Sequence, residues 1–191
     1  MTATVHTLKI TLRSMKPPIW RRIEVASDVS LAELSDLLEG AMGWMGGHLH
    51  AFEADGTTYE RPDPDGWPFR RTEDEAKHRL GKVLGKVGAT MRWDYDFGDG
   101  WQHNVVVEAI EPLDPAVEYP RCLAGRRACP PEDCGGPWGF EELLEAIADH
   151  AHPRHDELTE WLPPGYDPAE FDPEQATEDM RAPRPLTDDW W

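Results

Sequence analysis

The chain has 191 residues, 39% of them hydrophobic, with nine tryptophans and a formal net charge of −18. That length suits one ordinary domain or two small ones. No apolar run approaches the ~20 residues needed to cross a bilayer. The start, MTATVHTLKITLR, lacks the apolar core of a signal peptide, so a cytoplasmic location is expected. Residues 1–93 hold 13 Lys/Arg and 13 Asp/Glu, whereas residues 94–191 hold 6 and 24. The acidic second half repels phosphate backbones, which argues against nucleic acid there and for a basic protein partner.

Val5 to Arg13 alternates Val5, Thr7, Lys9, Thr11 and Arg13 against His6, Leu8, Ile10 and Leu12, which predicts a half-buried strand. Ile19 to Val25 supplies its hairpin partner, with Pro17 and Pro18 outside the paired region because proline donates no ladder bond. Ser30 and Glu33 form a capping box. Behind it Leu31, Leu34, Leu37, Leu38, Ala41, Met42 and Met45 share one helical face. HLHAFEADGTTYE then reads as a strand turning at Asp55-Gly56. His48 and His50 alternate along it and are expected as surface or half-buried side chains rather than a ligand pair. This order predicts an α+β fold with an N-terminal β-grasp-like hairpin-helix-strand unit.

RPDPDGWPFRR is expected to be a loop, followed by a short helix near Leu80–Val87. Ala89–Asp96 and Trp101–Ile110 form a central antiparallel hairpin around GDG. A two-residue Asp99-Gly100 turn would set Asp96 opposite His103. A three-residue Gly98-Asp99-Gly100 loop would set Phe97 opposite Trp101 and Tyr95 opposite His103. The second is favoured, because it gathers Trp93, Tyr95, Phe97, Trp101, His103, Val105 and Val107 on one face and leaves Asp94, Asp96, Gln102 and Asn104 on the other.

Residues 111–139 show little periodicity, and a loop that long is usually functional or held by something. Cys122, Cys129 and Cys134 lie there, and with His103 they would suit tetrahedral zinc. Acidic helices follow, one striped by Trp138, Phe140, Leu143, Leu144 and Ile147, another by Leu158, Trp161 and Leu162. DPAE and DPEQ read as helix starts capped by Asp167 and Asp172. Residues 1–182 are expected to form a single domain and 183–191 a loose tail.

YDFGDGWQH at 95–103, YPRCLAGRRACPPEDCGGPWGF at 119–140, MGWMGGHLHAF and YDPAEFDPEQA resemble the plasmid pRiA4b ORF-3-like family over nearly the whole chain. The resemblance implies an α+β domain with no assigned catalytic residues. Its members occur on plasmids and in bacterial and archaeal genomes, some labelled insertion-sequence passenger or TnpR-family resolvase. The serines present, Ser14, Ser27, Ser30 and Ser35, offer no nucleophile among arginines, so recombinase chemistry is not expected. The motif marks Tyr95, Asp96, Asp99, Trp101, His103, Glu132 and Asp133 as candidates. Two functions follow: a non-enzymatic binding or accessory module associated with mobile elements, or a metal-dependent hydrolase centred on the hairpin and the PPEDCGG loop.

Overall fold

The computed structural model describes residues 3–62 and 72–182. Its centre is an eight-stranded mixed sheet, ordered β5-β4-β3-β6-β7-β1-β2-β8. The strands are β1 Thr4–Leu12, β2 Trp20–Ala26, β3 His50–Ala54, β4 Thr57–Glu60, β5 Thr72–Asp74, β6 Thr90–Tyr95, β7 Trp101–Pro112 and β8 Arg121–Arg126. Among the described residues the α-helices are α1 Leu31–Met42, α2 Leu80–Val83, α3 Gly136–Ala148, α4 His155–Trp161 and α5 Pro173–Arg181. All strand pairs are antiparallel except β4–β5. The fold is therefore α+β. The expected order of hairpin, helix and strand holds, but the strand after the helix joins the sheet through β6.

Local chemistry accounts for the elements. Ser30 Oγ accepts from the Glu33 amide while the Glu33 carboxylate accepts from the Ser30 amide, so two of the otherwise unpaired N–H groups that open α1 are satisfied. Gly43, at φ 90°, ends the helix in a left-handed cap. The helix therefore stops before Met45, which is 78% exposed and does not join the expected stripe. The turn at Asp55-Gly56 carries positive φ at both residues, as a tight hairpin requires.

The core lies between α1 and one face of the sheet. Leu31, Leu34, Leu38, Ala41 and Met42 of α1 share a single buried cluster with Leu8, Ile10, Leu12, Phe52, Met91, Trp93, Tyr95, Trp101, Val105 and Val107. Each such fully buried side chain stabilises the fold by roughly 1.5–3 kcal/mol through apolar area removed from water. Arg21 is also buried. Its guanidinium donates to the carbonyls of Ala41, Trp20 and Arg126 and stacks on the Phe171 ring at 3.9 Å. It thus supplies the positive charge that the last turn of α1 lacks in its own sequence.

Two expectations for the second half are corrected. Residues 111–139 contain an edge strand, β8, paired with β2. DPAE does not start a helix; Asp167 instead accepts from the Ala169 amide in a turn. DPEQ does start α5, with Asp172 accepting from the amides of Glu174 and Gln175. The proposed tail, 183–191, and most of RPDPDGWPFRR lie outside the described residues.

Candidate functional site

β7 sits between β6 and β1, and its alternation buries Trp101, His103, Val105 and Val107. Within the strands the face assignment made from sequence is correct, but Asp96 and Phe97 belong to the loop and the register differs from the expected one. Tyr95 pairs with Trp101 and Trp93 with His103, so the loop is five residues, Asp96 to Gly100. The Gly100 amide donates to the Asp96 carbonyl at 2.6 Å, and Asp96 Oδ1 accepts from the Gly98 amide at 2.9 Å. This internal bonding closes a wider loop than either short turn considered. Phe97 leaves the strand and is 55% exposed.

Beneath the loop lies an aromatic layer. Trp44 stacks on Tyr95 with centroids 4.7 Å apart and packs edge-on to His103 at 5.4 Å. Trp44 Nε1 donates to the Pro130 carbonyl at 2.9 Å. His103 is fully buried and donates through Nδ1 to the Trp93 carbonyl at 3.2 Å. Burial pushes its pKa down to about 3, against the opposing pull of that hydrogen bond, and the charge of Arg21 lowers it further. His103 is thus a neutral core side chain.

The PPEDCGG loop folds onto this hairpin. Tyr95 donates its hydroxyl to Glu132 Oε1 at 2.7 Å, and Glu132 Oε2 accepts from the Met45 amide at 3.1 Å. Burial, then the Glu132 carboxylate, raises the Tyr95 pKa, so the phenol stays protonated. Asp99 Oδ2 accepts from the Gly135 amide at 3.2 Å. The Asp96 amide donates to the Leu49 carbonyl at 2.9 Å. Three loops are therefore tied together at one end of the sheet: residues 43–49, residues 96–100 and residues 129–136.

At their junction stand His48, Asp96 and Asp133. His48 Nδ1 lies 3.6 Å from Asp96 Oδ2, and His48 Nε2 lies 3.6 Å from Asp133 Oδ1. One ligand atom from each of the three residues falls within 4.8 Å of the others. Asp96 is buried and Asp133 open to solvent, so the group faces outward. Both aspartates have left-handed backbones, at φ 52° and 59°, a conformation that costs non-glycine residues energy and is found at functional sites. Chemically, the trio can hold a divalent cation on one imidazole nitrogen and two carboxylate oxygens.

The sequence candidates divide. Asp96 and Asp133 enter the trio. Tyr95, Asp99 and Glu132 hold the loops around it, while Trp101 and His103 belong to the core. His48 is half-buried, within the expectation of a surface or half-buried side chain, but its meeting with Asp96 and Asp133 is not among the sequence candidates. His48 and His50 differ because β3 begins only at His50, whose Nε2 meets the buried Glu75 carboxylate at 2.8 Å. The only local signal for His48 was its place in MGWMGGHLHAF.

Cys122, Cys129, Cys134 and His103 do not assemble into a zinc clip. Cys122 Sγ faces the Arg22 and Ala124 carbonyls, whereas Cys129 Sγ lies 3.3 Å from the Arg21 guanidinium and 3.7 Å from Met42 Sδ. Cys134 is half-buried, and burial with the nearby Asp99 charge pushes its thiol up to about 12. Cys122 lies on β8, Cys129 beyond its end and Cys134 just before α3, so the three thiols sit in separate surroundings. No helix among the described residues is long and apolar enough to cross a membrane.

Comparison with known proteins places this geometry in context. The model of the plasmid pRiA4b ORF-3-like protein family matches residues 4–175. The uncharacterised protein y4hQ of Sinorhizobium fredii (strain NBRC 101917 / NGR234) is 38% identical over 161 residues, covering 84% of this chain and 82% of its own length. The crystal structure of MM3350, a protein of unknown function from Methanosarcina mazei Go1, superposes with a TM-score of 0.82 at 34% identity, covering 91% of this chain and 98% of its own.

Proposed function

The chain belongs to the plasmid pRiA4b ORF-3-like family, and from that premise we propose that it is a non-enzymatic binding module whose working end is a divalent-cation site made by His48, Asp96 and Asp133. The observation that carries this reading is the convergence of three ligand atoms within 4.8 Å, one from each of three loops. Two carboxylates and one imidazole suit Zn²⁺ or Mn²⁺, and three protein ligands leave coordination positions open to a further donor.

A binding role is favoured over hydrolysis by the neighbouring acids. Hydrolysis at a metal needs a free base to handle the proton of the attacking water. Glu132 is engaged by Tyr95 and the Met45 amide, and Asp99 by the Gly135 amide. His103 is buried beneath the loops and faces away from solvent. These groups hold loops rather than stand ready for proton transfer. The family name supports an association with plasmids, and the accessory role on mobile elements rests on it.

Calorimetric titration with Mn²⁺ and with Zn²⁺ tests the site. One of the two ions should bind at about one equivalent per chain. His48→Ala, Asp96→Asn and Asp133→Asn should each weaken it by roughly 10–100-fold or more. Affinity should fall on acidification, because the ligand is the neutral imidazole. Absence of binding, or binding indifferent to all three substitutions, would overturn the reading.

A further inference from the structure

We infer that the end of the α3–α4 pair beside Asp133 docks a basic, amphipathic segment of a partner protein. The two helices run antiparallel: His155 Nδ1 meets the Ala146 carbonyl at 2.7 Å at one end. Trp161 shares a cleft of about 270 Å³ with Gly139, Asp133, Glu142, Leu143, Glu157 and Leu158 at the other. Trp138, one residue before Gly139, is 83% exposed, and Trp161 is 46% exposed. The N-terminal turn of α3 and the C-terminal turn of α4 therefore present two open tryptophans at the same end of the pair.

Tryptophan left in water is a large forfeited burial, and it is the side chain most enriched among residues that dominate interface energetics. The neighbouring loops add further apolar surface. Among the seven large hydrophobics most exposed in the described residues, Met45 and Leu49 flank His48, and Phe97 follows Asp96. Met45, Leu49 and Phe97 thus belong to the loops that meet beside this end of the helix pair, whereas Val87 and Leu123 lie on other segments.

Charge selects the occupant. Residues 136–161 carry seven carboxylates and one arginine. Arg154 already bridges Glu142 and Glu157, at 2.7 and 2.6 Å, and shows how a guanidinium seats between these helices. Toward the tryptophan end, Glu141 and Glu160 are exposed and enter no ion pair among the described residues. Lysines and arginines of a partner segment would meet these carboxylates, with cation–π contact to the tryptophans and the segment's apolar side chains on the indole faces. A second copy of this chain, at −18, and a nucleic acid are both repelled. The inference uses Trp138, Trp161 and the helix carboxylates, so it stands or falls apart from the cation site.

The test is a fluorescence-anisotropy titration in which the whole protein is added to a dye-labelled amphipathic leucine–lysine peptide or to its labelled leucine–glutamate counterpart. The lysine peptide should bind and the glutamate peptide should not. Trp138→Ser with Trp161→Ser leaves the charge unchanged and should weaken binding by about tenfold or more. Val87→Ser with Leu123→Ser should leave it within about twofold. Circular dichroism checks that both double variants remain folded, as substitutions at exposed positions should allow. Failure of the lysine peptide to bind at low salt would overturn the inference. So would equal affinity for the wild type and the tryptophan variant, because the attraction would then be charge alone.

Discussion

Replacing Gly136 by alanine probes the contact that joins the two motif loops. Gly136 opens α3 at φ 68°, and an added Cβ would fall well inside 3.0 Å of the Asp99 carbonyl oxygen, a separation that real Cβ atoms do not reach. Gly135 is the matched control. Its φ is also left-handed, at 90°, but the nearest atom to its added Cβ is Gly139 Cα at 3.5 Å, an ordinary contact. Gly135→Ala should therefore cost only backbone strain, about 1–2 kcal/mol. Gly136→Ala should add an overpacking cost against rigid backbone of about 1–3 kcal/mol. For a chain of this size the extra cost lowers the melting temperature of Gly136→Ala below that of Gly135→Ala by roughly 2–12 °C. Differential scanning calorimetry reads both. Equal melting temperatures would refute the packing of α3 on the hairpin loop, and with it the juxtaposition of Asp96 and Asp133.

Tyr95→Phe removes the hydroxyl donated to Glu132 and should cost about 1.5–3 kcal/mol in urea denaturation, the scale of a hydrogen bond to a charged partner. His103, held near 3 against an ordinary 6.5, makes the folded state bind fewer protons than the unfolded one. Stability should therefore fall with pH between about 6.5 and 3, by up to about 5 kcal/mol from this group, and His103→Leu should flatten that slope in acid denaturation. His50 moves the other way: burial opposes its charge, but the Glu75 carboxylate, helped by Glu39 and Asp36, outweighs burial and raises its pKa above 6.5. Its contribution is present in full below pH 6.5 and is lost as pH rises through the raised value. The melting-temperature advantage of wild type over His50→Gln should accordingly shrink in alkali.

What could be read from the sequence was what local physics determines. The capping box of α1 needs only Ser30, Glu33 and the apolar run behind them. The burial of Trp93, Tyr95, Trp101 and His103 follows from period-two alternation alone. The hairpin register does not, because loops of three and five residues differ by a shift of two across the pair and keep every side chain on the same face. Only Phe97, the innermost residue, distinguishes them, and it is released because Asp96 folds back on Gly98 and Gly100.

Tertiary partners were less visible. β8 carries arginines and a glycine and pairs on one side only, so an edge strand there leaves little alternation to detect. Trp138 sits nearly opposite Phe140 and Leu143 on the helical wheel, which is why it points outward instead of joining their stripe. His48 gains meaning only through Asp96 and Asp133, which reach it from distant segments, and no spacing in the chain announces that meeting.

The cation site can be located directly by growing crystals with Mn²⁺ and collecting diffraction above and below the manganese absorption edge. An anomalous difference peak should appear within coordination distance of His48, Asp96 and Asp133, and should be lost in Asp96→Asn crystals grown the same way. A folded protein with no peak there, or a peak held instead by other side chains, would contradict the proposed site.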